Sequence, residues 1–313
     1  MSCPTLALPS IGCWRSKIRW QGSLAATTAP AFSSHGLTLE GRRWLHDVLA
    51  AGLHLPLPIQ HLLYFFASVF ALHEGEFGQA TAYAKQALTT AHALAEPAQM
   101  VEDLAMLVRI HLSIDDGITA KAFGLEAAQI AQDFANSATH VSALSHLSLA
   151  ELQVGDMTEA TLHCHTAYAL LHDPSFHEQL YTSWTWSITC LCCGAIALNS
   201  GDHARARHYF CEGLQHSRYA VEKLWLLDPL AGAIGTQPTG RLDEIRSAAV
   251  LWGAVEALSA QIGLTPIPGF HRRNAPLIAA ARSRIDPAEF AAAWDEGRKL
   301  SLDEVVALAL RPA

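Results

Sequence analysis

The cysteine and histidine residues that lie close together along the chain are the first candidates for chemistry. His163, Cys164 and His165 are consecutive, and Cys190, Cys192 and Cys193 follow within one short segment. Such side chains can bind a metal ion or act as a nucleophile and its base. In a helix, however, consecutive side chains diverge by about 100°, so the first three cannot meet at one ion. We therefore predict that both clusters pack as structural residues in helices and that the chain has no metal site.

Sequence motifs of catalytic and nucleotide-binding sites are absent. The chain contains no H-E-x-x-H, no G-x-S-x-G and no P-loop, and none of its five lysines follows a glycine. With a net charge of −8 and no dense basic run, it lacks the positive charge that drives nucleic-acid binding. We predict a protein that is not an enzyme, has no cofactor and does not bind nucleic acid directly. A helical enzyme that uses Cys164 and a histidine stays as an alternative.

The hydrophobic pattern argues against a membrane protein. The longest apolar run, from Leu62 to Leu72, is too short to cross a bilayer, which takes about 20 residues. Arg15 and Lys17 follow the short apolar stretch near the N-terminus, which is the reverse of a secretory signal. We therefore predict a cytoplasmic protein whose seven cysteines are reduced.

An internal repeat indicates the architecture. The pattern Gly-acid-x-x-polar-Ala begins at Gly75, Gly155 and Gly201, and a fainter copy begins at Asp115. The intervals are 40, 40 and 46 residues, and each copy follows an apolar stretch with helical spacing. A glycine at the start suits a helix C-terminus, where a left-handed backbone is needed. The sequence predicts an all-α solenoid of antiparallel helix pairs with a concave groove.

Small residues recur where paired helices must approach each other. Ser68, Ser148 and Gly194 occupy the eighth place of their first helices, and an alanine occupies the twentieth place of every repeat: Ala80, Ala120, Ala160 and Ala206. The twenty-fourth places are Ala84, Gly124, Cys164 and Phe210. These positions resemble the tetratricopeptide repeat, and the longer period resembles the variant in large bacterial transcriptional regulators.

The C-terminal region has its own pattern. L-W-G-A-V-E-A-L, from Leu251 to Leu258, precedes a Pro-rich turn and three short helical segments. Two of these start with clear signals, Asp286 before Pro287 and a capping box at Ser301. We expect these helices to cap the exposed end of the solenoid.

This C-terminal pattern, with the segment from Phe290 to Leu310, resembles the tail of the helical-repeat region in signalling ATPases of the LuxR/MalT-like class. Glu40 to Leu45 similarly resembles the helix that opens that region. Family members carry an ATPase module before the repeats and often a helix-turn-helix after them, and neither motif is found here. The resemblance therefore implies the sensor or interaction segment of a bacterial signalling or transcriptional regulator, separated from those modules. A stand-alone adaptor scaffold stays as an alternative.

The same reading divides the chain into three parts. Residues 1–36 match nothing in the family and are expected to be a disordered arm or the product of a misplaced start codon. Residues 37–260 form the repeats, and residues 261–313 form the helical cap.

The concave groove is where we expect a peptide, a protein or a small effector to bind. In the repeat register, the second, fifth, ninth and thirteenth places of each first helix face inward. Among the residues at these places is a polar set: Glu102, Arg109, Ser142, Ser145, Gln153 and Asn199. Arg109 is the predicted contact for an anionic group, because a guanidinium can bind a carboxylate or phosphate through two parallel hydrogen bonds.

Overall fold

The computed structural model describes residues 45, 47–49, 55–133, 137–173, 182–264 and 268–311. Every regular element in these ranges is an α-helix, which confirms the predicted all-α class. None of the helices there is both long and apolar enough to cross a membrane. The predicted arm, residues 1–36, and most of the opening helix that starts at Glu40 lie outside the described residues.

Helices α1 to α8 form four antiparallel pairs. The bounds of the pairs are α1 (Leu57–His73) with α2 (Phe77–Leu94), α3 (Pro97–Ser113) with α4 (Gly117–Gln132), α5 (Ser137–Val154) with α6 (Met157–Leu171), and α7 (Thr182–Asn199) with α8 (His203–His216). Five helices follow: α9 (Ala220–Gly235), α10 (Leu242–Gln261), α11 (Pro268–Arg282), α12 (Pro287–Gly297) and α13 (Leu302–Ala309). The chain is thus the predicted α-solenoid.

The turn inside each pair has the predicted left-handed residue. Gly75, Gly155 and Gly201 have φ angles of 78°, 88° and 78°. Asp115 takes the same conformation in the fainter copy, with φ of 68°. A residue with a Cβ is uncommon there, and aspartate tolerates it better than most because its short side chain forms local hydrogen bonds.

The acidic residue of the signature begins the second helix in two of the pairs. The Asp116 carboxylate accepts a hydrogen bond of 3.1 Å from the N–H of Thr119, and Asp202 accepts one of 3.0 Å from the N–H of Arg205. Each satisfies a backbone donor that has no partner inside the helix. One short motif therefore ends the first helix and starts the second.

The predicted small positions lie where helices cross. The alanines at the twentieth places, Ala80, Ala120, Ala160 and Ala206, are fully buried. A Cβ added to Gly194, at an eighth place, would overlap the ring of Phe210, at a twenty-fourth place. A Cβ on Gly124 would lie 3.0 Å from the Leu147 Cα of the next repeat. The repeat positions predicted from the sequence therefore match the positions at which the helices pack against one another.

The prediction that all cysteines are reduced is wrong for one pair. Cys164 is joined to Cys193 in a disulfide whose Cα atoms are 5.9 Å apart. A twenty-fourth place on α6 faces the next first helix, α7, and this brings the two thiols together. Cys190 and Cys192 are free and fully buried, as expected of small apolar residues.

The first helices form the inner wall. Besides packing on its own partner, α3 packs on α5, α5 on α7, and α7 on α9. The C-terminal part of the chain also reaches the second helix pair, because α11 contacts α3, and Arg272 of α11 lies 3.3 Å from the Asp115 carboxylate.

The C-terminal helices start as predicted. The Asp286 carboxylate accepts hydrogen bonds from the N–H groups of Ala288 and Glu289, at 2.9 and 3.2 Å. Ser301 and Glu304 form the capping box at the start of α13. Helix α12 packs closely on α10, and α11 packs on α9.

Candidate ligand-binding groove

Arg109 lies near the end of α3 on the inner wall, and its side chain extends to α7 and α9. Its guanidinium carbon is 4.5 Å from the centre of the Trp184 ring and 4.9 Å from the centre of the Trp225 ring. The two rings are 5.2 Å apart and inclined by 68°. The guanidinium therefore lies in an angle between two aromatic faces, and such contacts hold a cation in a fixed orientation. We call Arg109, Trp184 and Trp225 the Arg109 corner.

Among the described residues, the charge in this corner has no close counter-ion. Arg109 forms no salt bridge among the described residues, and its Nε is buried without a hydrogen-bond partner. Burial lowers the pKa of Arg109 to about 9, and the negative charge of Glu102 opposes this shift from farther away. Arg109 is only partly buried, but a cation there without a counter-ion is still costly, and an anionic ligand would reduce that cost.

Glu102 and Ser142 border the corner. Burial raises the pKa of Glu102, and the nearby Ser142 hydroxyl and Arg109 both act to lower it. Glu102 lies about two helical turns before Arg109 on the same helix, and Ser142 lies on the neighbouring α5. The structure thus brings together three of the predicted groove residues.

Two buried histidines complete the surroundings. The pKa of His73 falls to about 3 and that of His146 to about 4, mainly through burial and further through the charge of Arg109. His146 Nδ1 lies 2.8 Å from the Ser142 carbonyl oxygen, so this nitrogen carries the proton. His146 Nε2 and both ring nitrogens of His73 are buried without a partner. Both rings are therefore neutral at pH 7, and neither adds a second positive charge beside Arg109.

The other predicted groove residues are placed elsewhere. The Ser145 hydroxyl is buried 2.9 Å from Thr189 Oγ1, where it joins α5 to α7. Gln153 donates a 2.7 Å hydrogen bond from Nε2 to the Asp115 carboxylate at the α3–α4 turn. Asn199 is exposed at the far end of α7, about 22 Å along the helix from Trp184. The structure does not bring these three to the Arg109 corner.

Sequence reasoning missed His73, His146, Trp184 and Trp225. The histidines are two among seventeen, and nothing in their spacing sets them apart. Trp184 and Trp186 begin an apolar helix, and a tryptophan pair in that setting is more typical of a core. The contact of Trp225 with His73 spans about 150 residues of chain, with ring centres 6.3 Å apart, and no local pattern encodes it.

The cysteine and histidine clusters offer no metal site in the described parts of the chain, where no three suitable side chains converge. His163 Nδ1 lies instead 2.8 Å from the buried Glu151 carboxylate of the preceding helix. His163 thus links α6 to α5, and Cys164 beside it lies in the disulfide.

No protein-family model matches the sequence, and no characterised protein matches it either. Several solved structures match the fold. The apo form of RapI is 11% identical, with 84% of this chain and 98% of RapI covered and a TM-score of 0.56. NprR in complex with its cognate peptide NprX is also 11% identical, with 88% and 77% covered and a TM-score of 0.56. A Rap protein complexed with Competence and Sporulation Factor is 10% identical, with 88% and 89% covered and a TM-score of 0.52.

At such low identity these matches establish the fold. The chain has the tetratricopeptide-type helical-repeat fold of the Rap and NprR structures, over most of its length. This agrees with the repeat register and with the stacked helix pairs described above.

Proposed function

We infer that the chain is a non-catalytic repeat module that binds a peptide, or a segment of a partner protein, in its concave groove. The Arg109 corner carries this proposal, because a cation that forms no salt bridge with any described residue lies there on the inner wall between two tryptophan rings. A ligand carboxylate would supply the missing charge through charge-assisted hydrogen bonds. The peptide complexes of NprR and of a Rap protein, which share this fold, support a peptide ligand.

In the same proposal, the module is the sensor or interaction segment of a bacterial signalling or transcriptional regulator of the LuxR/MalT-like class, acting in the cytoplasm. Residues 37–260 are its repeats and residues 261–313 its cap. The C-terminal sequence pattern that begins at Leu251 supports this class. The contacts of α11 with both α3 and α9 offer a route by which a ligand in the groove changes the position of the cap.

The other two functions have less support. The enzyme alternative needs a reactive Cys164, yet this residue is fully buried and bonded to Cys193. A stand-alone adaptor would use the same groove and would differ in the size of its partner.

The test uses a pool of random heptapeptides with free termini. The purified full-length protein is incubated with the pool, separated from unbound peptides by gel filtration, and the retained peptides are identified by mass spectrometry. We expect a related set of peptides to be retained by the wild type and to be depleted at least about tenfold with Arg109→Glu. A charge-assisted hydrogen bond is worth about 1.5–3 kcal/mol, and about 1.4 kcal/mol is a factor of ten.

Arg205→Glu is the matched control, because Arg205 is exposed on the second helix of a pair. It makes the same charge change away from the groove and should retain the wild-type set. Circular dichroism of both variants checks the fold. If the wild type retains no more than Arg109→Glu, the proposal is wrong.

A further inference from the structure

Trp225 lies on the inner wall but comes from a helix that follows the four repeat pairs. Its helix, α9, packs on α7 and α8, whereas its ring reaches Arg109 on α3 and His73 on α1. The ring centres of Trp225 and His73 are 6.3 Å apart, in an edge-to-face contact. In a stacked-repeat protein each unit packs on its immediate neighbours, and contacts between distant units depend on the curvature of the whole stack. The Trp225 ring contacts are therefore separate from the packing that joins neighbouring pairs.

The side chain of Trp225 is placed differently from those of its neighbours on α9. Leu224, Leu226 and Leu227 are buried in the core, whereas Trp225 is partly exposed. The cavity that Trp225 helps to line between α7 and α9 measures only about 10 Å³, which is room for about one water molecule. Trp225 thus fills the part of the groove beside Arg109, and a ligand side chain can take this position only if Trp225 leaves it.

The contacts across the groove are individually weak. A cation–π contact such as that of Trp225 with Arg109 corresponds to about a two- to thirtyfold change in an equilibrium constant. Arg272 and Asp115, which join α11 to α3, are both more than half exposed, and exposed ion pairs contribute little to stability. A small change in the rotation between pairs would therefore release Trp225 without disrupting the core of any pair.

The groups that Trp225 contacts favour an aromatic replacement. When Trp225 leaves, Arg109 loses one of its two aromatic contacts, and the buried ring of His73 loses its edge-to-face contact. An aromatic side chain of a ligand would restore both contacts, whereas an aliphatic one has no ring face to attract the guanidinium. An anionic group on the same ligand would add charge-assisted hydrogen bonds to Arg109, which Trp225 cannot supply.

We propose that Trp225 is an internal competitor, which occupies in the ligand-free chain the place of an aromatic side chain of the peptide that the groove binds. This rests on the proposed function and specifies its ligand as a peptide with an aromatic side chain as well as an anionic group. The site is competent only in the fraction of molecules from which Trp225 has withdrawn. The contact of Trp225 with Arg109 therefore lowers the apparent affinity for the peptide.

The test compares Trp225→Leu with Trp184→Leu in the retention of the heptapeptide pool. The two rings lie at similar distances from the guanidinium carbon, 4.9 and 4.5 Å, so both variants remove one aromatic contact from Arg109. We expect Trp225→Leu to retain at least about twofold more peptide than the wild type, because the competitor is gone. Trp184→Leu should retain less, because Trp184 stays in place as a wall of the site. The peptides retained by the wild type should share a tryptophan, tyrosine or phenylalanine.

Trp225→Phe is the matched control, because it keeps an aromatic ring on α9 and should retain about as much peptide as the wild type. Circular dichroism checks the fold of each variant. The aromatic preference is measured on the wild type, so it tests the ligand class even if Trp225→Leu does not fold.

Three outcomes would overturn the internal competitor: a folded Trp225→Leu that retains no more than the wild type, a Trp225→Phe that gains as much as Trp225→Leu, or retained peptides without a shared aromatic residue. In each case a loss of retention in Arg109→Glu would still support the proposed function. If the wild type, Trp225→Leu and Arg109→Glu all retain the same amount, both proposals are wrong.

Discussion

The junction between α10 and α12 is closely packed and its charges are paired, whereas the part of the inner wall around Arg109 and His73 keeps polar groups without a partner among the described residues. At the junction, a Cβ on Gly253 or Gly297 would overlap the backbone of the facing helix, so the two helices touch directly. The Glu256 carboxylate there accepts hydrogen bonds from Trp294 Nε1 at 2.7 Å and from Arg298 Nε at 2.9 Å. In the groove, Arg109 has no salt bridge and His73 has no hydrogen-bond partner among the described residues.

The contrast separates residues that serve folding from residues that are available for binding. Close packing and paired charges stabilise the junction, and nothing there is left for a ligand to satisfy. The inner wall around Arg109 instead keeps polar groups without partners, which lower the stability of the folded state. Natural proteins retain such groups where binding requires them. Substitutions in the two regions should therefore have opposite consequences.

The largest effect is expected at the junction. Gly253→Ala should lower the free energy of unfolding by about 3 kcal/mol or more, because its Cβ meets the Trp294 carbonyl group and a backbone must move. Gly78→Ala is the matched control on α2, where a Cβ would meet no atom within 4 Å. Urea denaturation measures both. Equal stabilities for the two variants would show that α12 does not pack on α10 in this way.

A pH-dependent effect is expected from His73. Its folded-state pKa of about 3 lies below its usual value of 6.5, so the unfolded chain takes up a proton first as the pH falls. The stability associated with neutral His73 is present above pH 6.5 and is lost between about pH 6.5 and 3. The free energy of unfolding falls by at most about 1.4 kcal/mol for each pH unit over this range. Between pH 7 and 5, His73→Leu should therefore lose about 2 kcal/mol less than the wild type. Equal losses in urea denaturation would contradict the burial of this ring.

The smallest effect on stability is expected at Arg109. Arg109→Met removes the unpaired charge and keeps a polarisable chain against the two tryptophans, so the free energy of unfolding should stay within about 1 kcal/mol of the wild type or rise. Peptide retention should nevertheless be lost. A destabilisation well above 1 kcal/mol in urea denaturation would assign Arg109 a structural role and remove the contrast with the junction.

Much of the fold could be predicted from short-range patterns. The starts at Gly75, Gly155 and Gly201 mark real turns, and the capping signals at Asp286 and Ser301 mark real helix starts. Each depends on residues within about five positions of one another, where backbone geometry decides the outcome locally. Even Asp115, which stands where the other three copies have glycine, takes the left-handed conformation.

The candidate site was only partly predictable. The register placed Glu102, Arg109 and Ser142 on one wall, but it also named Ser145, which is buried against Thr189, and Asn199, which lies at the far end of its helix. An inward place in the register does not tell whether a neighbouring helix already covers the side chain. The pairing of Cys164 with Cys193 was missed for the same reason, since it depends on how α6 meets α7.

The sequence by itself determined the helix pairs, their turns and the small residues at their crossings, because these follow from local geometry repeated along the chain. Only the tertiary structure decided that Trp184 and Trp225 meet Arg109 and that α11 reaches α3. In a solenoid, each pair adds a small rotation to the one before it, and contacts between distant pairs depend on the sum of these rotations. That sum is a property of the whole stack, and no single repeat encodes it.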